Sequence, residues 1–249
     1  MKENSKIYFA SDLHLGIPNP KASRERELKF VAWLEHIRQD AEEIHLMGDI
    51  FDFWFEYKRA IPKGFTRLLG KIAELADSGI PFYWYYGNHD MWIFDYIPNE
   101  LGVQMVPHEL IREFNGQRFY LHHGDGLGPG DQGYKVLKKI FRSRLCQWLF
   151  ARLHPNFGIW LADKSSRSSR YSEPEHKKPY QGDDKEFLVQ FCQSKLKEEY
   201  FDYFIFGHRH LPIEMKVGEK STYVNLGDWL QHFTYAVFDG NQLELKHWE

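Results

Sequence analysis

Short apolar runs alternate with amphipathic stretches through the first part of the chain. Residues 7–10 read as a strand, and residues 24–38 carry Leu28, Val31, Leu34 and Ile37 at helical spacing. Residues 44–47 form the next apolar run and end in Gly48-Asp49. Residues 64–78 put Leu68, Leu69, Ile72, Leu75 and Ala76 on one helical face, with Gly79 as the stop. Residues 81–86 are aromatic and strand-like. This strand, loop, helix rhythm predicts an α/β fold whose functional groups gather at the C-terminal edge of a sheet.

The later chain has a hairpin character. Runs at 110–114 and 117–122 flank Asn115-Gly116, a strong two-residue turn signal. Residues 203–206, 213–217, 221–225, 234–238 and 243–247 read as further strands, the last four closing antiparallel. A helix is expected over 183–200. Between the hairpin and that helix, residues 134–153 are basic and apolar at once: Val136, Leu137, Ile140, Phe141, Leu145, Trp148, Leu149 and Phe150 interleave with lysines and arginines. Such a helix either packs on the body, as most amphipathic helices do, or lies at a membrane interface with its apolar face inserted.

Each loop after a strand-like run ends in a side chain that binds metals. Asp12 and His14 stand in Asp-Leu-His, Asp49 in Gly-Asp-Ile-Phe-Asp, Asn88 in Gly-Asn-His-Asp, His123 in His-Gly-Asp, and His208 and His210 in Gly-His-Arg-His. Any one of these tripeptides is common, but together they offer seven donors of mixed oxygen and imidazole character. That set suits two divalent ions, with Asp49 as the bridging carboxylate and Mn2+ as the fitting metal. Such a pair activates water and neutralises phosphate oxygens for in-line attack, so a two-metal phosphoesterase is predicted. His122 competes with His123, and the match to His-Gly-Asp selects His123. His89 is expected to face the substrate as a proton donor, with Asp90 orienting it; Asp52 is expected to support the ligands without binding metal.

Composition narrows the setting. A chain of 249 residues fits one large α/β domain with an insertion at about 126–182. Cys146 and Cys192 are too few for a disulfide framework and read as reduced core thiols. The N-terminal residues run straight into the first strand, no run reaches the ~18 apolar residues of a membrane span, and the expected location is cytoplasmic. Residues 134–180 hold eleven lysines and arginines against three acidic residues, in a chain whose net charge is −3. This segment therefore has a partner of its own. Nucleic acid is a poor fit, because the basic residues interleave with an apolar face and the rest of the chain is acidic. The anionic cytoplasmic face of an inner membrane fits better; no obligate protein partner is indicated.

The ordered blocks resemble the calcineurin-like metallophosphoesterase superfamily over essentially the whole chain. The resemblance implies a four-layer α/β/β/α sandwich with a helical lid insertion. It also implies that Asp12, His14, Asp49 and His210 hold one ion and Asp49, Asn88, His123 and His208 the other. Within the superfamily the chain is most similar to the UDP-2,3-diacylglucosamine pyrophosphatases of lipid A biosynthesis, in Ser11-Asp12-Leu13-His14-Leu15, in Gly48-Asp49-Ile50-Phe51-Asp52-Phe53-Trp54, in His123-Gly124-Asp125, and in Asp131-Gln132-Gly133-Tyr134 opening the basic insertion. That likeness implies a nucleotide-linked lipid substrate cut to UMP and an acylated sugar phosphate, with Tyr134, Lys164, Arg167 and Arg170 as substrate contacts. One departure is His89, where the best-known members carry Arg; another nucleotide-linked or membrane phosphodiester is the alternative substrate. A non-catalytic scaffold of the same fold would show an eroded ligand set, and this one is complete.

Overall fold

Parallel strands joined by helices build the first half of the protein in the computed structural model, which describes residues 1, 5–130, 132–172 and 179–249, without the side chains of 163 and 166–172. β1 (Lys6–Ala10), β2 (Ala41–Leu46) and β3 (Phe82–Tyr85) are connected by α1 (Pro20–Ile37) and α2 (Thr66–Asp77). β1 pairs parallel with β2, and β2 with β3. α1 starts at Pro20, ahead of the first apolar repeat, because Asn19 accepts a hydrogen bond from the Ala22 amide and Pro20 presets the first turn. The buried carboxylate of Glu27 on α1 accepts from the Arg67 and Leu68 amides, fixing the start of α2.

α3 (Tyr96–Leu101) and β4 (Gln104–Val106) follow, then the hairpin β5 (Leu110–Phe114) and β6 (Gln117–Leu121). Further on come α4 (Gln132–Phe141), α5 (Arg144–Phe150), α6 (Pro155–Ser172), α7 (Phe187–Lys195), β7 (Tyr203–Phe206), β8 (Pro212–Val217), β9 (Ser221–Leu226), β10 (Thr234–Phe238) and β11 (Leu243–His247). One sheet has the order β11-β10-β1-β2-β3-β4 and the other β5-β6-β7-β9-β8. The last strands do not close as a single antiparallel group. β9 and β10 fall in different sheets, and β7 runs parallel to both β6 and β9.

Strand alternation sorts the core into layers. Ile7 and Phe9 of β1 enter the space between the sheets, while Tyr8 and Ala10 face the helices with Trp33, Leu34 and Trp84. Phe119, Leu121, Ile205 and Val224 meet Ile7 and Phe9 from the second sheet. On that sheet's other face Tyr120, Phe204, Phe206 and Tyr223 pack with Leu188, Val189 and Cys192 of α7. The result is the expected α/β/β/α sandwich.

Two local expectations need correction. Residues 134–153 form two helices, because Ser143 interrupts the first and caps the second by accepting from the Cys146 amide at 3.2 Å. The helix expected over 183–200 begins as a 3-10 turn at Asp183–Lys185 and is regular only over α7. Cys192 is buried as expected, but Cys146 is only partly so, at the base of the inserted helices.

Candidate metal centre

Every predicted ligand loop leaves the C-terminal end of a parallel strand, and the loops hold one another in place. Beyond β1 and β2 the backbones stay paired: the Asp12 amide donates to the Gly48 carbonyl (3.1 Å) and the His14 amide to Asp49 (2.9 Å). The second sheet joins in, with the Gly207 amide donating to His123 (2.8 Å) and the Trp229 amide to Asp12 (3.1 Å). Asp12, His14, Asp49, His208 and His210 all have positive φ, between 44° and 67°. That left-handed geometry costs an L-residue roughly 1–2 kcal/mol each and concentrates at functional sites. Three glycines permit the close approach. A Cβ on Gly87 would strike Asp49, one on Gly207 would strike Asp12 and Ser11, and one on Gly48 would come within 2.7 Å of His123 Nδ1.

The structure brings all seven predicted ligands together. Asp12, His14 and His210 place ligand atoms within 4.8 Å of one another, and so do Asp49, His123 and His208. Asn88 Oδ1 completes the second group, 2.9 Å from His208 Nδ1 and 3.1 Å from His123 Nε2. Asp49 joins the two, since its Oδ2 lies 3.7 Å from His14 Nε2 and 3.4 Å from His123 Nε2. Its other oxygen is occupied by the His89 amide at 2.8 Å. Asp12 is divided in the same way. Oδ2 accepts from the Ser11 hydroxyl (2.5 Å) and the His208 amide (2.9 Å), whereas buried Oδ1 accepts no well-formed hydrogen bond and sits 3.1 Å from His210 Nε2.

These distances fit a pair of cations. Donors ~2.1 Å from one ion stand about 3 Å apart when adjacent in its shell. His14 Nε2 and His210 Nε2 are 3.0 Å apart. The electrostatics agree: burial opposes charge on His123, yet Asp49 and Asp12 push its pKa up to about 10, and His210 is raised by Asp12 in the same way. The carboxylates thus demand positive charge at this spot, which divalent ions supply while leaving the imidazoles neutral.

Groups on the far side of three of the rings favour one nitrogen over the other for the ions. His123 Nδ1 donates to the Met47 carbonyl at 2.8 Å, leaving Nε2 for metal. His14 Nδ1 lies 3.5 Å from Asp52 Oδ1, which places Asp52 behind a predicted ligand. His210 Nδ1 lies 3.6 Å from Asp228, whose other oxygen accepts from the amides of Leu230, Gln231 and His232. Asp228 escaped the sequence reading because a lone Gly-Asp-Trp carries no metal-binding signature. His122 resolves in favour of His123: its Nδ1 accepts from the Gly124 amide, and burial lowers its pKa to about 4.

The expected pairing of Asp90 with His89 is not what the structure holds. Asp90 is fully buried and accepts from the amides of Gly87, Asp49, Ile50 and Phe51. Burial and the Asp49 charge push it up while the amides hold it down; four N–H donors and no acceptor for a proton fit the carboxylate. Asp90 thus organises the backbone of two ligand loops. His89 Nδ1 meets the Asp52 carbonyl at 3.0 Å, and its ring stands edge-on to His14 with centroids 4.9 Å apart. His89 also forms a possible ligand group with His14 and Asp49.

Of the predicted substrate contacts, Tyr134 donates to Asp125 Oδ2 at 2.5 Å and so ties α4 to the His123 loop. Lys164 is exposed on α6 with its ammonium 5.4 Å from the Trp160 ring. The side chains of Arg167 and Arg170 lie outside the described residues. Arg209, inside Gly-His-Arg-His, is paired with Glu186 through two contacts of 3.1 Å and anchors that loop to the start of α7.

Replacing Asp228 with Asn should weaken metal affinity about 10–100-fold, the usual cost of losing an outer partner of a ligand histidine, with the fold intact. Titration of the metal-free protein with Mn2+ checks this, and unchanged affinity would remove Asp228 from the centre.

Comparison with known proteins agrees with this geometry. Among curated proteins, the UDP-2,3-diacylglucosamine hydrolase of Porphyromonas gingivalis strain W83 is 39% identical over 257 residues, covering 98% of both chains. Those of Histophilus somni strain 129Pt and Haemophilus influenzae are 27% and 26% identical, covering 90% and 91% of this chain and 92% and 91% of theirs. The solved structure of Yfce, a phosphoesterase from E. coli, shares the fold with a TM-score of 0.50 at 15% identity, over 98% of this chain and 93% of that one. The model of the family described as calcineurin-like phosphoesterase matches residues 5–212, and the chain belongs to that family.

Proposed function

We propose that this protein hydrolyses the pyrophosphate of UDP-2,3-diacylglucosamine, giving UMP and 2,3-diacylglucosamine 1-phosphate. The observation that carries this reading is the near full-length similarity to the Porphyromonas gingivalis enzyme of that name, joined to a complete ligand set. Residues 1–249 act as one metallophosphoesterase domain, with α4–α6 as its lid. Asp12, His14, Asp49 and His210 hold one divalent ion, and Asp49, Asn88, His123 and His208 the other. Mn2+ suits their mixture of oxygen and imidazole donors. Such ions neutralise the phosphate oxygens and activate water. Asp52, Met47 and Asp228 keep the ligand imidazoles in register, and His89 transfers a proton at the substrate.

The lid supports a lipid substrate. It docks through Phe141, Cys146 and Phe150 on Phe55 and Trp92, and the Trp92 indole donates to the Phe141 carbonyl at 2.8 Å. α4 and α5 bury no residue. Leu145, Trp148 and Leu149 are 67%, 53% and 54% exposed, so ordinary core packing does not account for this face. No helix among the described residues is long and apolar enough to cross a membrane. Peripheral attachment to an anionic bilayer is the reading that uses both the apolar face and the surrounding cations, each worth about 1 kcal/mol near such a surface.

Acyl contacts remote from the reacting phosphorus help position it, so UDP-N-acetylglucosamine should be a far poorer substrate by kcat/KM. Hydrolysis in ¹⁸O-water should label UMP, and Asp49→Ala should abolish turnover. Equal rates on acylated and unacylated substrates, or label on the sugar phosphate, would favour a different phosphodiester.

If His89 is the proton donor, His89→Ala should lower kcat by roughly 10²–10⁴ with both metal equivalents retained. Loss of one equivalent in elemental analysis would make His89 a ligand instead. For the membrane, Trp148→Glu should reduce sedimentation with anionic vesicles, as should added salt; equal partitioning of variant and wild type would rule out insertion of this face.

A further inference from the structure

Outside the metal centre, a second concentration of charge has open space in front of it. Lys135, Lys138 and Lys139 of α4 and Arg142, just past its end and still bonded to the Lys138 carbonyl, recur at intervals of three and four and so share one face. With Gly126 they line a cavity of about 590 Å³, a size typical of small-molecule sites at ~300–1,000 Å³. Two of the four cations are already engaged. Lys135 Nζ donates to the Gly128 carbonyl at 2.5 Å, and Lys138 Nζ is held by Asp125, 2.6 Å from Oδ2 and 3.1 Å from the carbonyl. Lys139 and Arg142 pair with no carboxylate among the described residues. Four cations around one buried carboxylate leave the cavity electropositive, and an anion relieves that repulsion.

The cavity lies beside the His123 loop, which contributes Gly126 to its lining. Tyr134, whose hydroxyl is bound to Asp125, lies in the field of both Arg142 and the bridging Asp49. Tyr86, which precedes Gly87-Asn88, also lies in the field of Arg142. At the cavity's rim Val136 is 59% exposed, so an anion held here would carry its apolar substituents toward the exposed face of the lid. The α6 cation whose side chain is described, Lys164, stands over Trp160 and is not among the residues lining this cavity.

We propose that this cavity is the subsite for the second phosphoryl group of a pyrophosphate substrate, the one that is not attacked, with Arg142 and Lys139 as its contacts. Lys138, fixed by Asp125, positions α4 over the His123 loop. This proposal rests on the pyrophosphatase reading above. When water's oxygen bonds to the attacked phosphorus, the bridging P–O bond breaks and its electron pair leaves with the second phosphate. The protons of the attacking water pass to solvent as the two phosphate products form. Negative charge therefore grows on the group that these cations face, and a guanidinium can meet two of its oxygens at once.

The test compares kcat/KM for UDP-2,3-diacylglucosamine with that for bis-p-nitrophenyl phosphate, a diester with one phosphorus. It uses Mn2+-loaded wild type, Arg142→Gln and the Lys139→Gln, Arg142→Gln double variant. The ratio of the two constants should fall about 10–100-fold in the double variant, the scale of lost charge-assisted contacts, with metal content retained. An unchanged ratio in an enzyme whose wild type cleaves the pyrophosphate overturns the subsite. A wild type unable to cleave the pyrophosphate overturns the functional reading instead. Sedimentation with phosphatidylglycerol vesicles supplies the remaining arm: loss of vesicle binding with an unchanged ratio would make the cavity a lipid headgroup site and defeat the proposal.

Discussion

Two carboxylates, Asp12 and Asp49, are withdrawn from water with 0% and 1% exposure, and the architecture is organised around stabilising them there. Burying an ion costs several kcal/mol unless it is paired. Asp12 uses one oxygen on the Ser11 hydroxyl and the His208 amide, and Asp49 uses one on the His89 amide. Their remaining oxygens face four imidazoles and the Asn88 amide. This is a site for compact positive charge, with the Met47 carbonyl, Asp52 and Asp228 on the far sides of His123, His14 and His210.

Reaching that geometry strains the backbone. Five ligands in left-handed conformation are retained because the loops are over-determined by cross-loop amides and by Asp90, which gathers four N–H groups from two loops. Two parallel-stranded rims, one from each sheet, supply the loops, so the inter-sheet core of Ile7, Phe9, Phe119, Leu121 and Ile205 sets the distance between the two halves of the centre.

The candidate ligands were legible in the sequence because each sits in a short local motif, and the structure brings them together. Strand alternation was legible for the same local reason. What escaped depended on tertiary partners. Asp228 meets His210 only in the folded chain, and Asp90 was matched to its sequence neighbour His89, although its partners are mostly the amides of the Asp49 loop. β4 spans only Gln104–Val106 and offers too few positions for a period. Alternation tells which face of β9 and β10 is buried, not which sheet each strand joins. The break at Ser143 was hidden inside a continuous basic and apolar pattern.

The lid hangs from this centre by Asp125, Tyr134 and Lys138 and rests on Phe55 and Trp92, while presenting its outer face to solvent. In the proposed reading, catalysis at the buried carboxylates and recognition at the lid are linked through one loop, and both presuppose two ions sharing Asp49. Electron paramagnetic resonance of the protein loaded with Mn2+ tests this most directly. The account predicts the multi-line spectrum of an exchange-coupled pair, collapsing in Asp49→Ala to that of isolated ions. A wild-type spectrum of isolated ions at full metal loading would contradict it.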